Sequence, residues 1–216
     1  NGKRVLVTAG GTREAIDPVR YIGNRSSGKM GYAIAEAAVA RGAAVTLVST
    51  AALPSPAGVN VVKVESAEEM RQAVLAAYDA ADIVVKAAAV ADYRPTIVAD
   101  KKIKKAAEDS LTIVLQRNPD ILQELGSRKK SQFLVGFAAE THDLEAYAKE
   151  KIAKKNLDMI VANDVTAAGA GFGTETNIVK FLFPDGSKTE LSCLPKRAVA
   201  DKLFDAVLQR LPGAAK

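Results

Sequence analysis

The segment from residue 10 to residue 31 combines glycines with cations and small polar residues. Glycines let the backbone approach a ligand closely, and this segment contains Gly10, Gly11, Gly23, Gly28 and Gly31. Ser26 and Ser27 directly precede a predicted helix and can cap its first turn. The positive end of that helix favours an anion. The segment therefore indicates a binding site for a phosphate or a carboxylate.

The two best-known phosphate-binding patterns do not match this segment. It lacks the G-x-G-x-x-G spacing of dinucleotide-binding loops, and no second glycine or hydroxyl residue completes a P-loop around Lys29. The pattern leaves the choice between phosphate and carboxylate open, and a purely structural loop is the alternative. A simple connector would not need this length or so many polar side chains, which include Arg13, Arg20, Asn24 and Arg25.

Asp92 and two lysine clusters could complete a nucleotide site. Asp92 follows an alanine-rich strand end, so it could accept from an amine or hydroxyl of a flat ligand, or cap a turn. Lys151 and Lys155 share one helix face because they are four residues apart, and both could reach one phosphate chain. The run from Lys102 to Lys105 is either a solvated charge run or a lid whose ammonium groups cover a polyphosphate.

The segment from residue 100 to residue 110 around that run has few apolar residues. We expect it to be a mobile and exposed basic loop.

Alternating apolar strands and amphipathic helices must hold these residues. The alternation implies right-handed crossovers and a parallel sheet, in which ligands bind beyond the carboxyl ends of the strands. We predict an α/β fold: a Rossmann-like parallel sheet flanked by helices, with a C-terminal β-hairpin extension, in one domain spanning residues 1–216. Strands are predicted at residues 3–8, 44–48, 61–64, 83–85, 133–137 and 159–162. Helices are predicted at residues 30–41, 144–155 and 196–211, and another is predicted to begin at residue 66. The hairpin is predicted at residues 178–191.

The composition excludes several classes of protein. The net charge is +5, with 30 Lys and Arg against 25 Asp and Glu, and the mixing of the two signs favours small anions over a nucleic-acid partner. No apolar run reaches the roughly 20 residues that a membrane span needs, and no signal peptide is expected. Cys193 is the single cysteine, which excludes an intrachain disulfide and favours a reducing compartment. We expect a cytoplasmic protein that binds neither nucleic acid nor a membrane.

Several long motifs, in a fixed order, resemble phosphopantothenate–cysteine ligase, the C-terminal ligase domain of a bacterial bifunctional protein of coenzyme A biosynthesis. The resemblance covers nearly the whole chain. Its motifs lie at residues 8–14, 17–22, 24–31, 88–93, 102–105, 118–121, 135–141 and 162–165. One departure from the family pattern is Arg25, which stands where a histidine is found and adds a charge beside Asn24.

The resemblance implies a two-step ligation. CTP and 4′-phosphopantothenate first form an acyl-cytidylate and pyrophosphate with Mg²⁺, and the amine of L-cysteine then displaces CMP to give 4′-phosphopantothenoylcysteine. It also implies a homodimer, and a fusion to a flavin-dependent decarboxylase domain. This chain holds the ligase half alone, so we expect no flavin here.

The resemblance also assigns residues to roles. Catalytic positions are Asn24, Lys102 and Arg20, and substrate-binding positions are Gly10, Gly11, Asn24, Ser27 and Gly28. Nucleotide-binding positions are Ala88, Ala89, Asp92, Lys102, Asn118, Pro119, Asp120, Ile121, Phe137, Lys151 and Lys155. The ligands of Mg²⁺ stay unassigned.

Two other functions compete with this one. A short-chain NAD(P)-dependent oxidoreductase is disfavoured by the missing glycine fingerprint, and Tyr147 and Lys151 form its Tyr-x-x-x-Lys pair without a convincing serine loop before them. A noncatalytic nucleotide-sensing module would bind CTP without releasing pyrophosphate.

Overall fold

The computed structural model describes residues 2–104, 110–140, 144–164 and 173–211. Their strands are β1 (Arg4–Ala9), β2 (Arg13–Ala15), β3 (Tyr21–Gly23), β4 (Ala44–Ser49), β5 (Val59–Lys63), β6 (Ile83–Lys86), β7 (Tyr93–Pro95), β8 (Leu115–Arg117), β9 (Phe133–Glu140), β10 (Met159–Asp164), β11 (Thr176–Leu182) and β12 (Lys188–Pro195). Their helices are α1 (Lys29–Ala40), α2 (Ala67–Tyr78), α3 (Ile121–Arg128), α4 (Leu144–Lys154) and α5 (Lys196–Leu208).

A central eight-stranded sheet has the order β12-β11-β10-β9-β6-β1-β4-β5. The six strands from β10 to β5 are parallel, and β11 and β12 add an antiparallel hairpin at one edge. The inner strands bury almost every side chain, because helices cover both faces of a parallel sheet. The predicted fold class is confirmed, including the hairpin extension.

The helices divide between the two faces of the sheet. Buried side chains of α1 and α5 form one apolar cluster with the sheet, and those of α2, α3 and α4 form a second cluster on the other face. The chain leaves β1 through α1 toward β4 and β5, then crosses back through α2 to β6. The strand order therefore reverses between β1 and β6, which is where a doubly wound sheet opens a crevice for ligands.

The start of α1 differs from the prediction. Gly28 is its N-cap residue, with a φ of 78°, and no side chain caps the helix, so the predicted capping by Ser26 or Ser27 is wrong. The reason is packing between backbones. A Cβ on Gly31 would lie 2.5 Å from the Cβ of Ala9, so the helix begins directly against the end of β1.

Four short strands and one helix were not predicted from the sequence. The long loop after β1 contains the β2–β3 hairpin, and β7 pairs with β8 in a second small sheet. Helix α3 begins at an Asp120 cap, whose carboxylate accepts from the backbone nitrogen of Gln123 at 3.0 Å. Strands of three residues are too short to show an alternating pattern, and an eight-residue helix completes only about two turns.

Candidate functional site

The loops that follow β1 and β6 are joined by backbone hydrogen bonds beyond the ends of the strands. Gly11 and Ala89 form a parallel bridge, and the backbone nitrogen of Ala89 donates to the carbonyl oxygen of Gly10 at 2.8 Å. Asn24 adds a side-chain link, because its Nδ2 donates to the carbonyl oxygen of Val90 at 3.0 Å. The two loops therefore form a continuous floor at the switch point of the sheet.

Gly10, Gly11 and Gly28 serve this floor by allowing close packing of protein atoms. A Cβ on Gly11 would lie 2.3 Å from the carbonyl oxygen of Asn24, and one on Gly10 would lie 2.2 Å from Oγ1 of Thr50. Gly28 would meet Ala51 at 2.6 Å. The sequence suggested that these glycines let a ligand approach the backbone, but in the structure other protein atoms approach them. This packing holds Asn24 in position.

Asp17 organises the loop between β2 and β3. Its side chain is fully buried, and its carboxylate accepts from the backbone nitrogens of Val19, Arg20 and Ile103 at 2.8, 2.9 and 3.1 Å. The guanidinium of Arg20 donates to the same carboxylate through Nε and Nη2. These bonds, above all the one from Arg20, hold the pKa of Asp17 well below its usual range although burial opposes this.

Asp17 and Arg20 also anchor Ile103, near the start of the predicted lid. Nη2 of Arg20 donates to the carbonyl oxygen of Ile103 at 2.9 Å, and the backbone nitrogen of Ala99 donates to Ile16 at 3.0 Å. The exposure expected of the basic loop is confirmed at Asp100, Lys101 and Lys104, whereas the backbone of Ile103 is hydrogen-bonded to the loop that carries Arg20. The expected mobility of the loop stays a prediction. Lys102 itself is exposed beside this anchor. Lys105 and the rest of the predicted lid to residue 109 lie outside the described residues.

A cavity of about 470 Å³ opens between β6, β9, α3 and the end of α4. We call it the Lys155 cavity. Its walls contain ten of the eleven residues that the resemblance assigns to nucleotide binding, all except Lys102: Ala88, Ala89, Asp92, Asn118, Pro119, Asp120, Ile121, Phe137, Lys151 and Lys155. The structure thus brings together residues that are up to 67 positions apart in sequence, from 88 to 155.

Charged groups meet at one wall of this cavity. Nζ of Lys155 lies 2.8 Å from Oδ2 of Asp120. Burial raises the pKa of Asp120, but the bonds from Lys155 and the Gln123 backbone and the charges of Lys155 and Lys86 outweigh it, so the net shift is downward. Lys86, at the end of β6, is buried and also lines the cavity. The two ammonium groups and one carboxylate leave this wall with a net positive charge, which favours a ligand that presents acceptor oxygens there.

Asn118 and Asp92 have different roles at the mouth of the cavity. Asn118 donates through Nδ2 to the carbonyl oxygen of Ala91 at 2.8 Å and accepts from Arg94 at 2.7 Å, so its amide already holds the loop. The carboxylate of Asp92 is exposed, and within the described ranges it caps no turn by a hydrogen bond. Asp92 therefore stays available to a ligand.

A second cavity of about 510 Å³, which we call the Thr50 cavity, lies on the other side of Asn24. Gly11, Asn24 and Ser27 line it, together with Arg13, Tyr21 and Thr50. Asn24 and Arg25 line both cavities. One side chain, Asn24, therefore lies at the junction of two ligand-sized spaces.

A third, smaller cavity of about 150 Å³ lies at the start of α1. Ser27, Gly28, Lys29 and the buried Lys196 line it, and Ala88, Ala89 and Phe137 are shared with the Lys155 cavity. Burial lowers the pKa of Lys196, whose Nζ donates to backbone oxygens of Thr174 and Thr176. This cation is used to hold the first residue of β11 and the segment just before it.

Sequence reasoning missed Asp17 and Lys86. Asp17 carried no signal of its own, since its five hydrogen bonds depend on the fold of the loop. Lys86 did carry one, because it is the single charge that ends an apolar strand, after Ile83, Val84 and Val85. Within the ranges described, no group of three or more acidic, histidine or cysteine residues could hold a metal ion, and no helix there is long and apolar enough to cross a membrane.

The fold and its cavities define a doubly wound α/β domain whose ligand site lies at the switch point of the sheet. The chain belongs to the family described as the DNA/pantothenate metabolism flavoprotein C-terminal domain, whose family model matches residues 1–211. This membership, with the relatives below, confirms the resemblance to the phosphopantothenate–cysteine ligase domain.

Relatives and a solved structure agree with this membership. The coenzyme A biosynthesis bifunctional protein CoaBC of Bacillus subtilis (strain 168) is 56% identical over 208 residues, which cover 95% of this chain and 51% of that protein. The protein of the same name from Escherichia coli (strain K12) is 47% identical over 210 residues, covering 95% and 52%. A crystal structure of the C-terminal domain of CoaBC has 50% identity and a TM-score of 0.83, covering 98% of both chains. The chain spans about half the length of the curated relatives it matches.

The Asp17 carboxylate should couple the site to the stability of the loop. Asp17→Asn removes the negative charge that accepts hydrogen bonds from Arg20 and Ile103. We therefore expect a lower free energy of unfolding at pH 7 and a lower turnover. Because folding depresses this pKa, the contribution is present above the ordinary value of 3.8 and is lost as the pH falls through the folded value. Urea unfolding from pH 7 to pH 3 should show the difference between wild type and variant shrinking below pH 4.

Asp100→Asn is the matched control, since Asp100 is exposed three residues before Ile103. It should unfold as the wild type does at every pH. A stability difference for Asp17→Asn that is constant from pH 7 to pH 3 would contradict the assigned role of the charge.

Proposed function

We propose that this domain ligates 4′-phosphopantothenate to L-cysteine with CTP, through an acyl-cytidylate, in coenzyme A biosynthesis. The observation that carries the proposal is Asn24, which lies between the Lys155 cavity and the Thr50 cavity. A ligase of this kind must hold a nucleotide and an acyl substrate so that the carboxylate meets the α-phosphate. The names of the relatives, which are coenzyme A biosynthesis proteins, support the same reaction.

In the first step a carboxylate oxygen of 4′-phosphopantothenate attacks the α-phosphorus of CTP, and pyrophosphate leaves. In the second step the cysteine amine attacks the acyl carbon, the bond to the phosphate oxygen breaks, CMP leaves, and the amine loses a proton. The first step is needed because a free carboxylate is a poor acyl donor. Holding both reactants across one floor converts two encounters into one reaction within a complex.

The residues divide between the two substrates. The Lys155 cavity receives the nucleotide, with Asp92 exposed at its mouth and cations at its inner wall. The Thr50 cavity receives the pantothenate part, beside Gly11 and Ser27. The amide of Asn24 donates to the acyl and phosphate oxygens at the junction, where fixed donors are most effective because they need no reorganisation.

Mg²⁺ fits this proposal as a companion of the nucleotide. Magnesium is commonly bound through substrate phosphates with few protein ligands, and the described residues offer no cluster that would hold it alone. When bound, it would neutralise phosphate charge. Flavin chemistry belongs to a separate decarboxylase domain, and the word bifunctional in the names of the relatives supports a fusion of the two activities.

We also propose a homodimer in the cytoplasm. The hairpins β2–β3 and β7–β8 and their connections expose large apolar side chains, including Val19, Tyr21, Ile97, Val98, Leu111 and Val114. Monomeric proteins rarely expose contiguous apolar patches of this kind. A second copy of the same chain is the partner we propose for this surface, which adjoins the loop of Arg20 and Lys102.

The nucleotide requirement tests the reaction directly. Pyrophosphate release in the presence of 4′-phosphopantothenate should be driven by CTP and not by ATP. NADPH oxidation with small carbonyl compounds should be absent, which separates the ligase from an oxidoreductase. Equal rates of pyrophosphate release with CTP and ATP at matched concentrations would contradict the nucleotide choice, and CTP binding without any pyrophosphate would identify a sensing module.

Asn24→Asp should impair the second step more than the first. The variant loses the donor to Val90 and places a negative charge beside the acyl-phosphate oxygens, and the loss of one such donor costs on the order of 10²-fold or more in rate. Rapid-quench experiments should show acyl-cytidylate accumulating. Asn60→Asp is the matched control, because Asn60 is an exposed asparagine on β5 that lines neither cavity. If Asn24→Asp shows no more intermediate than the wild type, the role of Asn24 is wrong.

Lys102→Gln should lower turnover by about tenfold or more, because it removes one hydrogen bond to a charged group, while the melting temperature stays nearly unchanged at this exposed position. Lys129 is a poor control although the sequence suggests an exposed stretch there, since its Nζ pairs with Asp158 at 2.8 Å. Lys130→Gln is better, because the pair that Lys130 forms with Asp79 is 73% and 77% exposed, and such surface pairs contribute little to stability. Equal, near-wild-type rates for both variants would show that Lys102 is only a solvated charge.

A further inference from the structure

Lys86 is a buried cation that the proposed reaction does not yet use. It is the last residue of β6 and is only 6% exposed. Its neighbours on the strand are apolar and buried, whereas Lys86 lines the Lys155 cavity. An ammonium group removed from water is costly unless it is paired, so its place in this wall calls for a partner.

The structure offers Lys86 no strong partner within the chain. The nearest polar contact of its Nζ is Sδ of Met70, on α2, at 3.9 Å, and a thioether is a weak acceptor. The charged groups that face it are Asp120, at the cap of α3, and Lys155, after α4. Asp120 is already bonded to Lys155 and to the backbone of Gln123. Within the ranges that the structure describes, no oxygen atom therefore accepts from Lys86.

The inner part of the cavity suits a flat and mostly apolar group. Ala88, Val90, Ile121, Leu122, Phe137 and Ala138 contribute apolar surface around Lys86. The exposed residues Asn24 and Arg25 line another part of the same cavity, where a polyphosphate would find solvent and donors. A cytosine ring matches the inner wall, because its amine can donate to Asp120 and its carbonyl oxygen can accept from an ammonium group.

Building on the proposed nucleotide site, we infer that Lys86 is a further nucleotide-binding residue, whose ammonium donates to the carbonyl oxygen of the pyrimidine at the inner end of the Lys155 cavity. Lys86 thus contacts the base and not the phosphates. It adds to Lys155 and Asp120 a third polar group at the edge of the ring.

Proton binding gives this contact a distinctive signature. Burial lowers the pKa of Lys86 to about 8, with the charge of Asp120 opposing the shift and that of Lys155 adding to it. An acceptor on the ligand favours the charged form. The affinity for CTP should therefore be greatest below pH 8 and should fall as the pH rises through that value.

The test is calorimetric measurement of Kd for CTP and for inorganic triphosphate from pH 6.5 to pH 9.5, with wild type, Lys86→Met and the exposed control Lys130→Met. Lys86→Met should bind CTP about tenfold more weakly at pH 7, as expected for a lost bond to a charged group. It should bind inorganic triphosphate as the wild type does. For this variant, the ratio of the Kd for CTP to the Kd for inorganic triphosphate should no longer change between pH 7 and pH 9.

The melting temperature distinguishes this role from a structural one. Methionine has a similar length and no charge to bury, so Lys86→Met should melt at the wild-type temperature or above at pH 7. If that variant fails to fold, the pH profile of the wild type decides, because a flat CTP profile between pH 7 and pH 9 would overturn the inference.

Equal CTP affinity and pH dependence in Lys86→Met and wild type would also overturn it. So would equal losses of CTP and triphosphate affinity, which would place Lys86 at the phosphates. If wild type releases pyrophosphate from CTP but Lys86→Met binds CTP normally, this inference alone fails. If wild type binds no CTP, the proposed function fails with it.

Discussion

The carboxylate of Asp17 is removed from solvent and receives five hydrogen bonds, from Val19, Arg20 and Ile103. A buried carboxylate is tolerated only when donors replace water around it. Here the donors come from two distant parts of the chain, the loop after β1 and the segment after β7. The position of Arg20 and the start of the basic segment are therefore set together. This one buried anion thus holds the guanidinium of Arg20 and the backbone of Ile103 in one place.

The charges in the Lys155 cavity are arranged differently. Lys155 and Asp120 form a pair at 2.8 Å, so each limits the cost of burying the other. Lys86 has no such compensation within the described residues, and burial depresses its pKa. Strongly perturbed groups of this kind concentrate at functional sites. In the same cavity Lys155 is therefore paired with a carboxylate, whereas Lys86 is not.

Close packing between backbones joins the loops that follow β1 and β6. The bridge between Gly11 and Ala89 and the bond from Asn24 to Val90 hold the loops after β1 and β6 at a fixed distance. A side chain on Gly11 would collide with the backbone of Asn24. The junction between the two large cavities thus depends on the absence of a side chain at one position, and the placement of Asn24 follows from it.

The sequence by itself determined the fold class and the family. Apolar strands such as 83–85 and 133–137, separated by helical patterns, are sufficient for a parallel sheet, because burial on both faces requires continuous apolar runs. The long motifs likewise contain the positions that the resemblance assigns to nucleotide binding, and ten of these line one cavity. These features are local in sequence, and local patterns can be read without coordinates.

Only the tertiary structure decided the rest. It replaced the predicted serine cap of α1 by Gly28, it showed that the backbone of Ile103 is bonded to Asp17 and Arg20, and it placed Lys86 beside Asp120 and Lys155. The cause is the same in each case. Close backbone contact, shared hydrogen bonds and the burial of a charge depend on residues far apart in the chain, so no single segment of sequence contains the information.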